Sequence, residues 1–215
     1  MAQRPAGVVS AADDPEVRRQ GGSPPGRSLG IGSEEEAVVG AAFRDMMAAL
    51  GINGAPVFER LAAGQNLAQA LSVPAGVVEA LYARAHNWFS QGRIDRAEPL
   101  FRALCLLESR SADYWVGYGV CLRMKGQPEN ALRAFEAAAM LRPEWEIPHF
   151  HALELTVALK QWAQAGLCLA AYDARASAQT PPAIIRDAKR LRMALEARQA
   201  AQPPASAPTP RSAGR

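Results

Sequence analysis

The stretches QGRIDRAEPLF (91–101), KGQPENALRAF (125–135) and LKQWAQAGLCL (159–169) follow one another at a fixed interval of 34 residues. A self-similar period of this length marks a chain built from stacked supersecondary units. No single unit can bury its own apolar face, so neighbours must pack to form a continuous core. Aligned on Ala97, Ala131 and Ala165, each copy reads as helix, turn and helix, with Gly92, Gly126 and Lys160 in the turn. Four residues past each alanine stand Phe101, Phe135 and Leu169. A small residue lets two helices approach closely, and a bulky neighbour fills the space beside them. Twelve positions before each alanine come Ala85, Gly119 and Leu153, so the third copy departs from the pattern there. Pro143 stands where a stop is expected after the second unit.

The period and the small/bulky pattern resemble the tetratricopeptide repeat. The resemblance implies an all-α solenoid of three helix-turn-helix repeats over residues 77–176. The flanks extend it. SEEE (33–36) has the form of a capping box with Ser33 as N-cap, and opens an N-terminal helical segment over 33–76. Val39, Phe43, Met46 and Leu50 form the expected apolar stripe of its first helix. GINGAP (51–56) ends that helix, and a second is expected from about Val57, carrying Phe58, Leu61, Leu67 and Leu71, with Gly64 as a weak point. Ser72 is expected to cap the next. Beyond the repeats, residues 177–200 hold a capping helix whose face is Ile184, Ala188, Leu191 and Leu195. Residues 1–32 and 201–215 are rich in Pro, Gly, Ala and Ser and read as disordered ends.

Composition and motifs exclude several function classes. No run of about eighteen apolar residues is present, so no membrane-spanning helix is expected, and the first thirty residues lack the apolar centre of a signal peptide. A cytoplasmic protein follows. Acidic and basic residues balance across 79–176, and the basic excess gathers partly in RDAKRLRMALEAR (186–198). Without interleaved aromatic rings for base stacking, that helix reads as a solvated face and not as a nucleic-acid surface. Cys105, Cys121 and Cys168 lie in apolar helical contexts, are odd in number and lack a C-x-x-C, so they read as reduced, buried thiols. His149 and His151, two apart on a helix, face opposite ways and cannot share a metal, and His86 stands alone. Neither a phosphate loop nor a nucleophile elbow nor a zinc motif is present. No enzyme, cofactor or metal is expected.

A repeat array offers instead a concave groove lined by the first helix of each unit. The resemblance places its peptide-facing positions at Tyr82, His86 and Phe89 in the first repeat, beside Glu79 and Ser90. The second contributes Val116, Val120, Arg123 and Met124 beside Asp113, and the third Phe150, Glu154 and Val157 beside Ile147 and Ala158. Some of these, Val120 and Ala158 foremost, are expected to belong to the core. The clamp of Lys, Asn and Arg with which some such domains hold a C-terminal carboxylate is absent, because the matching positions read Tyr82, His86, Gly117, Ile147 and His151.

LYARAHNWF, GRIDRAEPLFRALCLLE, YGVCLRMKGQPENAL and PHFHA go beyond the repeat consensus. Together, over roughly residues 64–176, they resemble the class II chaperones of type III secretion, which hold hydrophobic translocator proteins. The resemblance implies a concave groove that receives a short extended translocator segment anchored by Pro and Leu side chains. It also implies a homodimer formed through N-terminal helices. The groove aromatics of that family fall on Tyr82 and Phe89, while Ile94 stands where Tyr is frequent. The chain differs in its long ends and in its pI of about 9.0, where members are frequently acidic. An adaptor of the same fold serving another secretion, pilus or regulatory complex is the alternative.

Overall fold

A computed structural model describes residues 33–201, apart from the side chains of residues 33–36 and 199. Ten helices and no strand occur among the described residues: α1 (Ser33–Ala49), α2 (Gly54–Ala62), α3 (Leu67–Ala70), α4 (Ala75–Ser90), α5 (Ile94–Leu107), α6 (Ala112–Met124), α7 (Pro128–Leu141), α8 (Glu146–Ala158), α9 (Trp162–Asp173) and α10 (Pro182–Ala200). The three repeats are the hairpins α4–α5, α6–α7 and α8–α9.

Each hairpin turns by the same device. Gly92, Gly126 and Lys160 adopt left-handed backbone, with φ of 73°, 71° and 58°. The next residue's N–H then reaches back to a carbonyl of the preceding helix: Arg93 to Trp88 at 2.8 Å, Gln127 to Leu122 at 3.0 Å and Gln161 to Thr156 at 2.9 Å. This is the Schellman closure, which favours glycine because a Cβ disfavours positive φ. Lys160 holds that conformation as an ordinary L-residue, as the repeat register requires.

The hairpins close on the small residues that the period selects. Ala97, Ala131 and Ala165 are each 0% exposed, as are Ala85 and Leu153 at the facing position. At Gly119, which faces Ala131's helix, a Cβ would lie 2.5 Å from Phe135 Cε1, so the Phe135 ring occupies the volume that any other residue there would need. Gly117 does the same between repeats, where a Cβ would meet Phe101 Cε1 at 2.4 Å. Phe101 and Phe135 are among the largest fully buried side chains. All three cysteines are free and buried, as expected. Ile184, Ala188 and Leu195 of α10 are buried against the third repeat, with Leu191 half-buried beside them, so the expected capping face is the observed one.

The N-terminal segment departs from expectation. α1 packs on α2 through Gly40, Phe43 and Met47, while Val39, Met46 and Leu50 of the expected stripe are exposed. Gly40 is the cause: a Cβ there would sit 2.7 Å from Phe58 Cε1, so the bare backbone admits the Phe58 ring and rotates the buried face toward Gly40. The second helix starts earlier than Val57, at Gly54, with Asn53 accepting the Ala55 N–H at 3.2 Å. It ends at Ala62, because Gly64 takes φ of 86°, and a separate short helix follows behind a capping box of Asn66 and Gln69. Ser72 does not cap α4. It has φ of 56°, its hydroxyl accepts from Arg60 at 2.6 Å, and Pro74 holds the N-cap position. The side chains of the Ser33–Glu36 box, and both expected disordered ends save Ala201, lie outside the described residues.

Introducing a charge at the hairpin contact tests this architecture. Ala131→Glu places a carboxylate in a site with no space and no counter-charge, and should cost about 3 kcal/mol or more. Arg133→Glu, on the exposed side of the same helix, should stay within about 0.5 kcal/mol. Thermal unfolding followed by circular dichroism measures both. Equal stability of the two variants would refute the register.

Candidate peptide-binding groove

The first helices of the repeats, α4, α6 and α8, form the inner layer that lines the concave side of such a solenoid. Side chains link them in order. The Tyr82 ring on α4 lies 5.3 Å from that of Tyr114 on α6, centroid to centroid, and Arg123 on α6 pairs with Glu154 on α8.

The ten residues assigned to the groove from sequence fall into three settings. Tyr82, His86 and Phe89 are half-buried on α4, as are Val120 and Arg123 on α6 and Glu154 and Val157 on α8. Val116 and Phe150 are buried, in one core cluster with Ile147, Tyr172, Ile184 and Ala188. They form the floor on which the inner layer rests. Met124, at the end of α6, is exposed. Val120 packs partly against two core clusters, in line with expectation, whereas Ala158 is exposed because it ends α8 just before the turn at Lys160.

At the first repeat the surface is aromatic. Tyr82 stands edge-on to Phe101 with centroids 6.3 Å apart, and the His86 ring lies tilted to it at 6.3 Å. Burial, and then the negative charge of Asp113, push the Tyr82 hydroxyl up to about 12. Burial does the same at Tyr114, also to about 12, with Glu108 adding to it. Both phenols are neutral donors across the physiological range, set in rings whose rotamers are held by packing. Trp88, on the neighbouring face of α4, is flanked by Arg84 and Arg96 at 5.7 and 5.8 Å from its centroid.

At the third repeat the surface is ionic. Glu154 Oε2 accepts from Arg123 and, at 2.9 Å, from Nδ1 of His151. A carboxylate only accepts, so His151 carries its proton on Nδ1. Burial lowers the His151 pKa, partly countered by the bond to Glu154, and keeps the ring neutral. Burial alone would raise Glu154, but the His151 hydrogen bond and the Arg123 charge outweigh it and hold the carboxyl below its ordinary value. The unit is an anion fixed by one cation and one neutral donor.

Sequence reasoning missed Tyr114 and His151. Tyr114 lies one place beyond a groove position and faces back toward α4, across the gap between repeats. His151 is legible only by register: it occupies the place of Gly117 one repeat earlier, and its ring stacks on Phe135 at 5.4 Å where Gly117 leaves room for Phe101. Among the described residues no group of His, Cys, Asp and Glu side chains could hold a metal ion, and no helix is long and apolar enough to cross a membrane.

No family model matches the sequence. Known proteins do. The chaperone protein SicA of Salmonella typhimurium is 26% identical over 119 residues, 55% of this chain and 72% of SicA. The structure of PcrH in complex with the chaperone binding region of PopD is 32% identical, with a TM-score of 0.53 over 60% of this chain and 95% of PcrH; PcrH is from Pseudomonas aeruginosa. The Yersinia enterocolitica type III secretion chaperone SycD, solved with a peptide of the translocator YopD, shares the fold at 24% identity and a TM-score of 0.54, over 60% of this chain and 96% of SycD. With three hairpins in one register, a capping helix behind them and nearly the whole of PcrH matched, the chain belongs to the tetratricopeptide-repeat chaperones of type III secretion translocators.

Proposed function

We propose that this chain is a non-enzymatic chaperone of the bacterial cytoplasm that receives an extended segment of a hydrophobic translocator in its concave groove. The client is thereby kept soluble and competent for export. The observation that carries the reading is the Tyr82–Tyr114–His86 cluster. Rigid rings, half-buried and packed at a tilt to one another, present a shallow apolar surface at low entropic cost, the kind on which a few anchors dominate affinity. Support comes from PcrH and SycD, whose structures hold translocator segments. Val116 and Phe150 support the surface from below, while Tyr82, His86, Phe89, Val120, Arg123, Met124, Glu154 and Val157 meet the client. Ordering an unfolded client segment offsets part of the contact energy, which suits later release. The exposed Val39, Met46 and Leu50 stripe on α1 gives a second copy an apolar face, and we assign the homodimer contact to it.

Tyr82→Ala combined with Phe89→Ala should leave the helical signal intact and weaken binding of an N-terminal translocator peptide by about 2 kcal/mol or more, close to thirty-fold. Arg192→Ala on the capping helix, which removes an exposed pair with Asp173 of α9, should change affinity little. Calorimetric titration measures both, and unchanged affinity in the folded double variant would remove the groove from the mechanism.

The ionic end makes a separate expectation. His151 is held neutral below its ordinary value of 6.5, so the unfolded chain binds the proton more readily. Folding stability should therefore decline as pH falls below 6.5, by up to about 1.4 kcal/mol per pH unit. Glu154 adds its own loss as pH falls below its ordinary 4.5. Glu154→Gln should cost about 1 kcal/mol at neutral pH, since both partners are partly solvated. Denaturant unfolding across pH checks both, and a flat profile between pH 7 and 5 would contradict the neutral His151.

A further inference from the structure

The outer layer holds a cleft of about 210 Å³ that the groove does not use. Leu132, Phe135, Glu136 and Ala139 of α7 form one wall, Gln164, Leu167 and Cys168 of α9 the other, and Pro148, His149 and Ala152 of α8 the floor. The repeat register shows why it is open. One repeat earlier, α6 carries Tyr118 where α8 carries Ala152. Tyr118 sits half-buried within electrostatic reach of Glu98, Arg102 and Cys105, the counterparts of Leu132, Glu136 and Ala139. The earlier step thus carries a large ring at the place where the later one has only the Ala152 methyl group. Two polar groups there have no protein partner among the described residues. His149 Nε2 is buried without a hydrogen bond, and Glu136, the only charged residue of the lining, has no ion pair among the described residues.

We propose that this cleft docks the chain's own C-terminal segment, PPASAPTPR (203–211), with proline rings in the space left by Ala152, Thr209 beside the His149 ring, and Arg211 on Glu136. The chemistry matches on three counts. Proline supplies a compact apolar ring, Thr209 lies between Pro208 and Pro210, and Arg211 brings the missing cation. A proline-rich strand is already extended, so little conformational freedom is lost on docking. The position matches as well. Arg198, near the end of α10, lies 5.9 Å from the Trp162 ring at the start of α9, and Gln164 two residues on is part of the cleft wall. Seven residues from Ala201 to Pro208 span about 22 Å as a polyproline helix, more than the ~10–12 Å diameter of the helix to be crossed. The N-terminal segment starts from α1, which packs on α2 at the far end of the array. A short tether gives a local concentration in the millimolar range, so even a weak contact is substantially occupied.

The full chain with ¹³C-labelled histidine gives three side-chain signals, from His86, His149 and His151. Pro208→Ser with Pro210→Ser and Arg211→Ser should move the His149 signal and leave the other two in place. A second measurement uses the fold as it stands: on mild oxidation, Glu136→Cys with Arg211→Cys should close an intramolecular disulfide about ten-fold faster or more than Glu79→Cys with Arg211→Cys, whose partner lies on the inner layer. An unmoved His149 signal, a moved His86 signal, a shift that depends on protein concentration, or equal disulfide rates would each overturn the proposal.

Discussion

The close contact between a phenylalanine ring and a bare or nearly bare backbone sets the spacing of the whole array. Phe135 against Gly119 fixes the angle within the second hairpin, and Phe101 against Gly117 fixes the step from the first repeat to the second. A ring packed to van der Waals contact tolerates no added methyl group without displacement, since protein interiors are filled to the density of organic crystals. Everything the inner layer presents follows from those distances. Tyr82 reaches Tyr114, and Arg123 reaches Glu154, because their helices are held at a fixed separation by rings on the other side of them.

The third repeat solves the same packing problem differently. At the position of Gly117 it carries His151, so Phe135 meets a stacked ring where Phe101 enters open space. A buried imidazole brings a polar requirement that glycine does not. Glu154 meets it at Nδ1, and the half-buried negative charge is in turn balanced by Arg123 from the preceding repeat. The ionic character of one end of the groove is thus a consequence of a core substitution, and the aromatic character of the other end reflects a repeat in which glycine sufficed. The two ends of the inner layer are thus unlike in chemistry, aromatic at the first repeat and ionic at the third.

The repeats were legible in the sequence because their constraints recur. Ala97, Ala131 and Ala165, the turn at Gly92, Gly126 and Lys160, and the capping face of Ile184, Ala188 and Leu195 each follow from register, and each is where the period places it. The N-terminal helices do not repeat. Their buried face depends on one tertiary contact, Phe58 in the gap at Gly40, which local periodicity cannot register, so Val39, Met46 and Leu50 looked like the inner stripe and lie outside. Ser72 looked like a cap because serine is common there, and Arg60 claims its hydroxyl instead. Among the residues assigned to the groove from sequence, Tyr82 and Phe89 stand on a half-buried face. The register could not separate Val116 and Phe150, which the capping helix and Tyr172 enclose, from neighbours that stay open. That distinction depends on what packs behind the layer, and α10 has no counterpart among the other described helices.

The degeneracy of the last repeat has one physical origin with two effects. An interior repeat packs on both sides and is held to the consensus by both neighbours. The last repeat packs on α10, a single helix in place of a hairpin. On the inner side that helix supplies Ile184 and Ala188 to close the core, so Phe150 is sealed as firmly as a repeat would seal it. In the outer layer α9 is the last of the series α5, α7 and α9. Leu153 replaces the small residue of its predecessors at the hairpin contact, while Ala152 beside it replaces Tyr118. Apolar volume has moved from the surface cleft into the hairpin core, which makes the end of the array firm inside and open outside. In a solenoid each repeat answers only to its immediate neighbours, so such an exchange leaves the first two repeats and the aromatic end of the groove unchanged.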